Sequence, residues 1–202
     1  MNTETAPGIA EQPLLLKALT SVIQPLTEAE WNAFEKVWMP FKASRKEVLT
    51  ATDDTEKYLY FVTKGIQRVF YLDDENREAT LVFTYAPSFG GVLDSFLLQQ
   101  PSRYYYETLT PSEFLRASFS DINVLMQQYR GVEALIRKGV TAATSGVLER
   151  LVELQCFTAE QRFRKLLQRS PHILQLIPHK YLANYLGMDP TNFSKLMNKV
   201  KI

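Results

Sequence analysis

Between Val132 and Leu154, apolar or small residues recur at Val132, Ile136, Val140, Ala143, Val147, Leu151 and Leu154, in steps of four, four, three, four, four and three. That spacing holds one stripe on one side of a helix and predicts a single continuous α-helix. At a rise of about 1.5 Å per residue it would be on the order of 35 Å long, more than a small domain needs to cover one face. Such a helix either lies on a core or pairs with a copy of itself. Gly139, Ala142, Ala143 and Gly146 would let two backbones approach closely, which favours pairing.

The stripe divides a chain whose pattern differs on its two sides. Ahead of it, Pro7, Gly8 and Pro13 mark a loose tail, and Leu14, Leu15, Ala18, Leu19, Val22 and Ile23 fall at helical spacing. A second helix starts at Thr27, with Glu30 at the capping-box position. From about Glu47 the period becomes that of strands. Tyr58–Val62, Ile66–Leu72, Ala79–Tyr85, Tyr104–Leu109 and Glu113–Phe119 are aromatic and β-branched runs, separated by Gly65, the polar turn Asp73–Asn76 and the cluster Pro87–Gly91. Short strands at close spacing point to a roll, sandwich or barrel rather than a parallel sheet. Ser120 is the expected cap of the next helix.

Behind the stripe, Thr158 and Gln161 open a short helix that Ser170 and Pro171 stop. Pro178–Leu186 then places Tyr181, Leu182 and Leu186 on one side, Gly187 closes the turn, and Asp189 and Pro190 open a last helix with Phe193, Leu196, Met197 and Val200 inward. This is helix, glycine turn, helix, with the small Ala183 where the two must pack. Thr191, Asn192, Ser194, Lys195, Asn198 and Lys199 are the polar set of the second helix.

Charge follows the same division. The whole chain carries a net +1, but from Cys156 to the end eight Lys/Arg face two Asp/Glu, a net +6, and the remainder is −5. A basic quarter on an acidic body, coinciding with a helix-turn-helix, is the pattern of a module that neutralises DNA phosphates.

Other classes are excluded or disfavoured. One cysteine allows no internal disulfide, CxxC pair or thiolate cluster, and points to the reducing cytoplasm. Cys156, beside Phe157, is read as packed. No apolar run reaches the roughly 18 residues of a membrane span, and the start lacks a signal-peptide pattern. A roll-type metal enzyme needs clustered histidines, whereas His172 and His179 both lie in the helical C-terminal region. The acidic pairs Asp53-Asp54 and Asp73-Asp74 sit in turns. No catalytic residue, metal or other cofactor is expected.

Two opening helices, a β-roll, a long helix, a short helix and a terminal helix-turn-helix together resemble the Crp/Fnr family of bacterial transcription regulators. The most specific parts are Pro178–Met188 followed by Thr191–Leu196, similar to the family's helix-turn-helix, and Thr63–Val69, similar to its early roll. The resemblance implies an α+β chain. Residues 1–120 would form the opening helices and an antiparallel roll of the cyclic-nucleotide-binding, double-stranded β-helix type. Residues 121–155 would be a dimerisation helix and 156–202 a helix-turn-helix. It also implies a cytoplasmic homodimer that binds double-stranded DNA, with a small-molecule effector and RNA polymerase as further partners. Lys180, Lys195 and Lys199 would meet phosphate or guanine, Thr191, Asn192 and Ser194 would read bases or position the helix, and Asn198 belongs to the same DNA-binding set. The chain stops at Ile202, so the wing strands that often follow are expected to be missing.

Departures from the family's pattern fall in the effector pocket, at Gly91, Val92, Leu93, Ser102 and Arg103. Val92 stands where cyclic-nucleotide binders carry the ribose-holding Glu. Ser102-Arg103 reverses the Arg-Ser order that neutralises the cyclic phosphate, and on a strand a one-residue slip turns a side chain to the other face. Cyclic AMP is therefore disfavoured as effector. Tyr104, Tyr105 and Tyr106 are read as roll core and surface. The competing reading is a ligand-binding module whose helix-turn-helix makes protein contacts.

Overall fold

The computed structural model describes residues 11–199. Readings placed on the first ten residues, on Val200 and on Lys201 lie outside the described residues. Pro13, expected in the tail, sits in the first turn of α1 (Gln12–Ile23), where its missing N–H costs no intrahelical bond. α2 (Glu28–Lys36) opens on the expected box: the Thr27 hydroxyl accepts from the Glu30 N–H, and the Glu30 carboxylate accepts from the Thr27 N–H at 2.9 Å. The same carboxylate accepts the Gly131 N–H at 2.8 Å, and a side chain at Gly131 would collide with it. These two backbone donors hold Glu30 below the ordinary glutamate pKa.

The strands are β1 (Met39–Ala43), β2 (Val48–Thr50), β3 (Tyr58–Lys64), β4 (Ile66–Leu72), β5 (Glu78–Tyr85), β6 (Ser88–Gly90), β7 (Tyr105–Thr108) and β8 (Ser112–Ser118). They form two four-stranded sheets, ordered β1-β8-β3-β6 and β2-β7-β4-β5. β8 runs antiparallel to both its neighbours, with Leu115 opposite Pro40 on β1 and Phe61 on β3. Alternation along β8 separates two cores. Leu115 and Ala117 pack with Leu16, Trp31, Phe34, Phe61 and Ile122 on the helix-covered face. Phe114 turns the other way, into the roll, with Tyr60, Val62, Val92 and Tyr106.

Between β6 and β7 lies α3 (Leu93–Leu98), and α4 (Phe119–Gln128) follows β8. The cap of α4 is Ser118 and not Ser120: its hydroxyl accepts the Asp121 N–H, while Ser120 hydrogen-bonds Ser118 instead. The long helix is present as α5 (Arg130–Cys156). α6 (Ala159–Arg169), the short α7 (Ile173–Leu176), α8 (His179–Tyr185) and α9 (Pro190–Lys199) complete the described chain. None of these helices is long and apolar enough to cross a membrane.

Two compact units emerge. One joins the residues up to Val69 with Phe83–Thr141, and the other joins Phe70–Val82 with the residues from Ala142 onward. α5 contributes its first half to one unit and its second half to the other.

Candidate nucleic-acid interface and roll pocket

α8 ends where its sequence runs out of residues that tolerate a right-handed continuation. Gly187 has φ +60°, the Met188 N–H reaches back to Ala183 O and the Gly187 N–H to Asn184 O, so the last carbonyls are satisfied by a Schellman turn. Ala183, Leu182 and Leu186 are buried, and a Cβ at Gly187 would come within 3.0 Å of Leu154. Asp189 then caps α9, its carboxylate accepting the Thr191 N–H at 2.7 Å, which lowers its pKa. Phe193 is the buried anchor of α9 and meets Phe163 edge-on at 5.4 Å and His179 at 5.6 Å.

With Phe193 fixed inward, the outer face of α9 presents Thr191, Asn192, Ser194, Lys195, Asn198 and Lys199 to solvent. The structure thus brings the expected reading set onto one helix face. Their engagements differ. The Ser194 hydroxyl donates to Pro190 O, and the Lys199 ammonium is 2.9 Å from Glu160 of α6. Lys180, exposed on α8, lies 4.6 Å over the Tyr181 ring.

Much of the basic charge counted in the sequence is likewise engaged within this unit. Arg162 donates to Phe157 O and Gly187 O, bracing the turn; Arg164 shares Glu160 with Lys199; and Arg169 takes both oxygens of Glu153 at 2.8 Å. Glu160 is held below the ordinary glutamate pKa, first by its hydrogen bond from Lys199 and then by that from Arg164. Arg150 is buried against Tyr185, its guanidinium 4.1 Å from the ring.

The second half of α5 has the opposite character to its first. Val132 and Leu135 are buried in the helix-covered core and Ile136 packs against it. Val147, Leu148, Leu151, Val152 and Leu154 are 56, 57, 48, 52 and 41% exposed. A Cβ added at Gly139 or Gly146 would meet nothing within 4 Å. Val140 is partly exposed and Ala143 exposed. Of the stripe, therefore, Val132 and Ile136 are core residues and Val147 and Leu151 surface ones. Cys156, expected to be packed, is exposed, because it falls at the end of α5 on no packed face.

In the roll, Gly91 has φ +116°, and Val92, 2% exposed, belongs to the inner core. Leu93 turns toward the helix-covered core. Ser102 and Arg103 lie on a bend before β7, not on a strand. The Ser102 hydroxyl is closed onto the backbone of Tyr104, and Arg103 is exposed. Because neither residue is on a strand, a one-residue slip does not decide which way Arg103 points. Tyr106 is fully buried, its hydroxyl 3.1 Å from that of Thr84, and a Cβ at Gly90 would collide with it. Gln67 bridges the Thr84 and Ser112 hydroxyls at 2.9 Å each.

A carboxylate does stand at the start of this loop, but it comes from Glu56. Its oxygens accept from the Thr50 hydroxyl at 2.6 Å, the Val92 N–H at 3.2 Å and the Tyr58 N–H at 3.3 Å. It is 1% exposed, and burial lifts its pKa above the ordinary value. Burial likewise raises the phenol pKa values of Tyr60 and Tyr106. Glu56 was not among the sequence candidates; it stands two residues after the Asp53-Asp54 pair, which was read as a turn. On the outer side of β4, Arg68 is 2% exposed and 2.6 Å from Glu107, which Lys46 also reaches at 3.0 Å. Among the described residues no group of three or more His, Cys, Asp or Glu could hold a metal.

Residues 40–129 match the cyclic nucleotide-binding domain family. No curated protein sequence matches the chain. Among solved structures, FixK2 from Bradyrhizobium japonicum superposes with a TM-score of 0.74 at 16% identity, over 81% of this chain and 84% of that one. CLP, a c-di-GMP-responsive global regulator from Xanthomonas campestris, gives 0.62 at 17% identity over 86% and 91%. A protein assigned to the Crp/Fnr family of transcriptional regulators in Eubacterium rectale gives 0.67 at 16% over 86% and 83%. Residues 40–129 are thus similar to a cyclic nucleotide-binding domain, and the chain has the fold of these solved regulators.

Proposed function

We propose that this chain is a homodimeric, sequence-specific DNA-binding transcription regulator whose roll does not respond to cyclic AMP. The observation that carries the DNA reading is α9: Phe193 is locked inward while Thr191, Asn192, Lys195 and Asn198 are left exposed on the opposite face. A recognition helix needs that division, a rigid inner side and polar outer residues free to meet base edges and phosphates. Asn192 suits adenine, and Lys180 and Lys195 suit phosphate or guanine. Pairing of two copies through the exposed half of α5 would cover Val147, Leu151 and Leu154 and present two recognition helices to one DNA duplex.

The cyclic AMP part rests on the roll. Val92 replaces the ribose-binding carboxylate, Arg103 is exposed, and Tyr106 closes against Gly90. We read the chain as a binding protein rather than an enzyme, acting in the cytoplasm.

The test is selection of binding sites from a random double-stranded DNA library by the purified full chain at two salt concentrations. Enrichment of one motif, with affinity that falls steeply as salt rises, is the expected result. Absence of salt-sensitive binding would remove the DNA reading and favour the competing one, in which these helices contact protein. The pairing of Arg164 and Lys199 with Glu160 is the observation on that side.

A further inference from the structure

We propose that Arg116 is an anion-binding residue of the roll, holding the carboxylate or phosphate of a small molecule where the aromatic interior meets solvent. Arg116 lies on β8 in the same phase as Phe114, so it projects from the roll's inner face rather than the helix-covered one. Its cross-strand partners are Met39 and Tyr60. Two residues from these along their strands stand Phe41 and Tyr58, and the guanidinium carbon lies 4.0 Å and 4.3 Å from their ring centroids.

The rings behind it are continuous. Tyr60 meets Phe114 at 5.4 Å and Tyr106 at 5.6 Å, and Phe41 meets Phe114 at 6.0 Å. Tyr60 and Phe114 are buried, whereas Phe41, Tyr58 and Arg116 are only partly so. The arginine therefore marks the edge of the aromatic interior.

Ring contact removes water from the faces of a guanidinium but leaves its five N–H donors, which lie in its plane, in need of acceptors. Among the described residues, the Arg116 guanidinium takes part in no side-chain hydrogen bond or ion pair. The buried acid of the roll, Glu56, is otherwise engaged, on Thr50, Val92 and Tyr58, and Glu113, in the other phase of β8, pairs with Lys42 at 3.4 Å. A fork held by aromatic walls and lacking an acceptor fits an oxyanion in bidentate fashion. The residues expected to do this, Ser102 and Arg103, are turned to their own backbone and to solvent respectively.

The inference goes beyond the DNA reading and is tested without DNA. The full chain is treated with phenylglyoxal, and modification of each arginine is followed by mass spectrometry in chloride, inorganic phosphate or succinate at matched ionic strength. Exposed Arg103 serves as internal reference. Phosphate, succinate or both should slow modification of Arg116 by about tenfold while leaving Arg103 unchanged, the size expected for a charge-assisted pair. The protecting anion identifies the ligand chemistry. The same anion should raise the melting temperature of the wild type but not of Arg116→Met, which keeps the stem on the rings, nor fully of Arg116→Lys, which keeps the charge without the fork. Equal protection by all three anions, protection of Arg103 instead, or none at Arg116 would overturn the proposal, whether or not the variants fold.

Discussion

In the roll, buried polar groups turn to one another. Glu56 is enclosed by Thr50, Val92 and Tyr58, Gln67 joins Thr84 to Ser112, and Arg68 is buried on Glu107. On α9 the polar side chains face outward, and a single aromatic anchor, Phe193, holds the helix in place. Both regions are rich in hydrogen-bonding side chains, so their composition does not separate them. What separates them is exposure: the roll's groups find partners in the same chain and are shut off from water, whereas on α9 Ser194 and Lys199 are bonded within the chain and yet all six polar side chains stay exposed. Polar groups satisfied internally make a surface closed and specific in shape, whereas groups left to water are available to a second molecule.

That contrast can be broken at several points. The largest effect is expected from Arg68→Met, which leaves Glu107 buried with only Lys46 beside it. Urea denaturation should show a loss of about 3 kcal/mol, and a change within experimental error would mean that this pair does not hold β4 to β7. Next comes Gly90→Ala, whose new methyl would meet the Tyr106 hydroxyl; a loss of about 1–3 kcal/mol is expected. Adding Tyr106→Phe should recover part of it, and an unchanged double variant would show that the two positions do not touch.

Asn192→Ala tests the outward face. It should leave the denaturation midpoint unchanged and cost about 1–3 kcal/mol of discrimination at one base pair of the selected site. Lys195→Ala should instead weaken all sequences alike and lower the salt slope by about 1. If either substitution lowered stability as much as Gly90→Ala, the outward face would belong to the fold and the contrast would fail.

The smallest effect concerns pH. The folded pKa of Glu56 is raised by burial, so above the unfolded glutamate value of about 4 the native state holds a proton that the unfolded chain has lost. Stability from this group therefore declines as pH rises through that window and is level above the folded value. Glu56→Gln cannot titrate. Its stability against pH from about 4 upward should run flatter than that of the wild type, and parallel curves would show that Glu56 does not ionise differently in the fold.

Local signals carried much of this architecture. The capping boxes at Thr27 and Thr158, the stripe along α5 and the Gly187 turn were all legible because each depends on residues within a turn or two of one another. β6 and α3 were not. Ser88–Gly90 is too short to show a period, and it is a strand only because β3 pairs with it, through Phe61 opposite Phe89. Ser118 displaced Ser120 as cap because β8 and α4 adjoin directly, with no linker between them.

The outward polar face of α9 was legible for the same local reason, once Phe193 was placed inward. The charge count was less informative, since sequence alone does not tell that Glu160 takes both Arg164 and Lys199 or that Arg162 braces a turn. Glu56 and Arg116 were hidden differently. Glu56 ends a polar run and is buried by partners from β2 and the loop after β6, and Arg116 interrupts an apolar strand in its inward phase. That interruption was visible in the period of β8, a charged residue where a core residue is due.

Cys156 is the chain's single thiol, and it lies exposed at the last residue of α5. A nitroxide attached there marks one address per copy with no substitution at all. If two copies align α5 in parallel, the labels sit near one another, on the order of 10–20 Å apart given ordinary helix spacing and label length. An antiparallel pairing centred on the middle of the helix, near Ala143, would move them apart by about 40 Å. A monomer would give no dipolar signal. The lone thiol thus makes the native sequence its own ruler for how two copies meet.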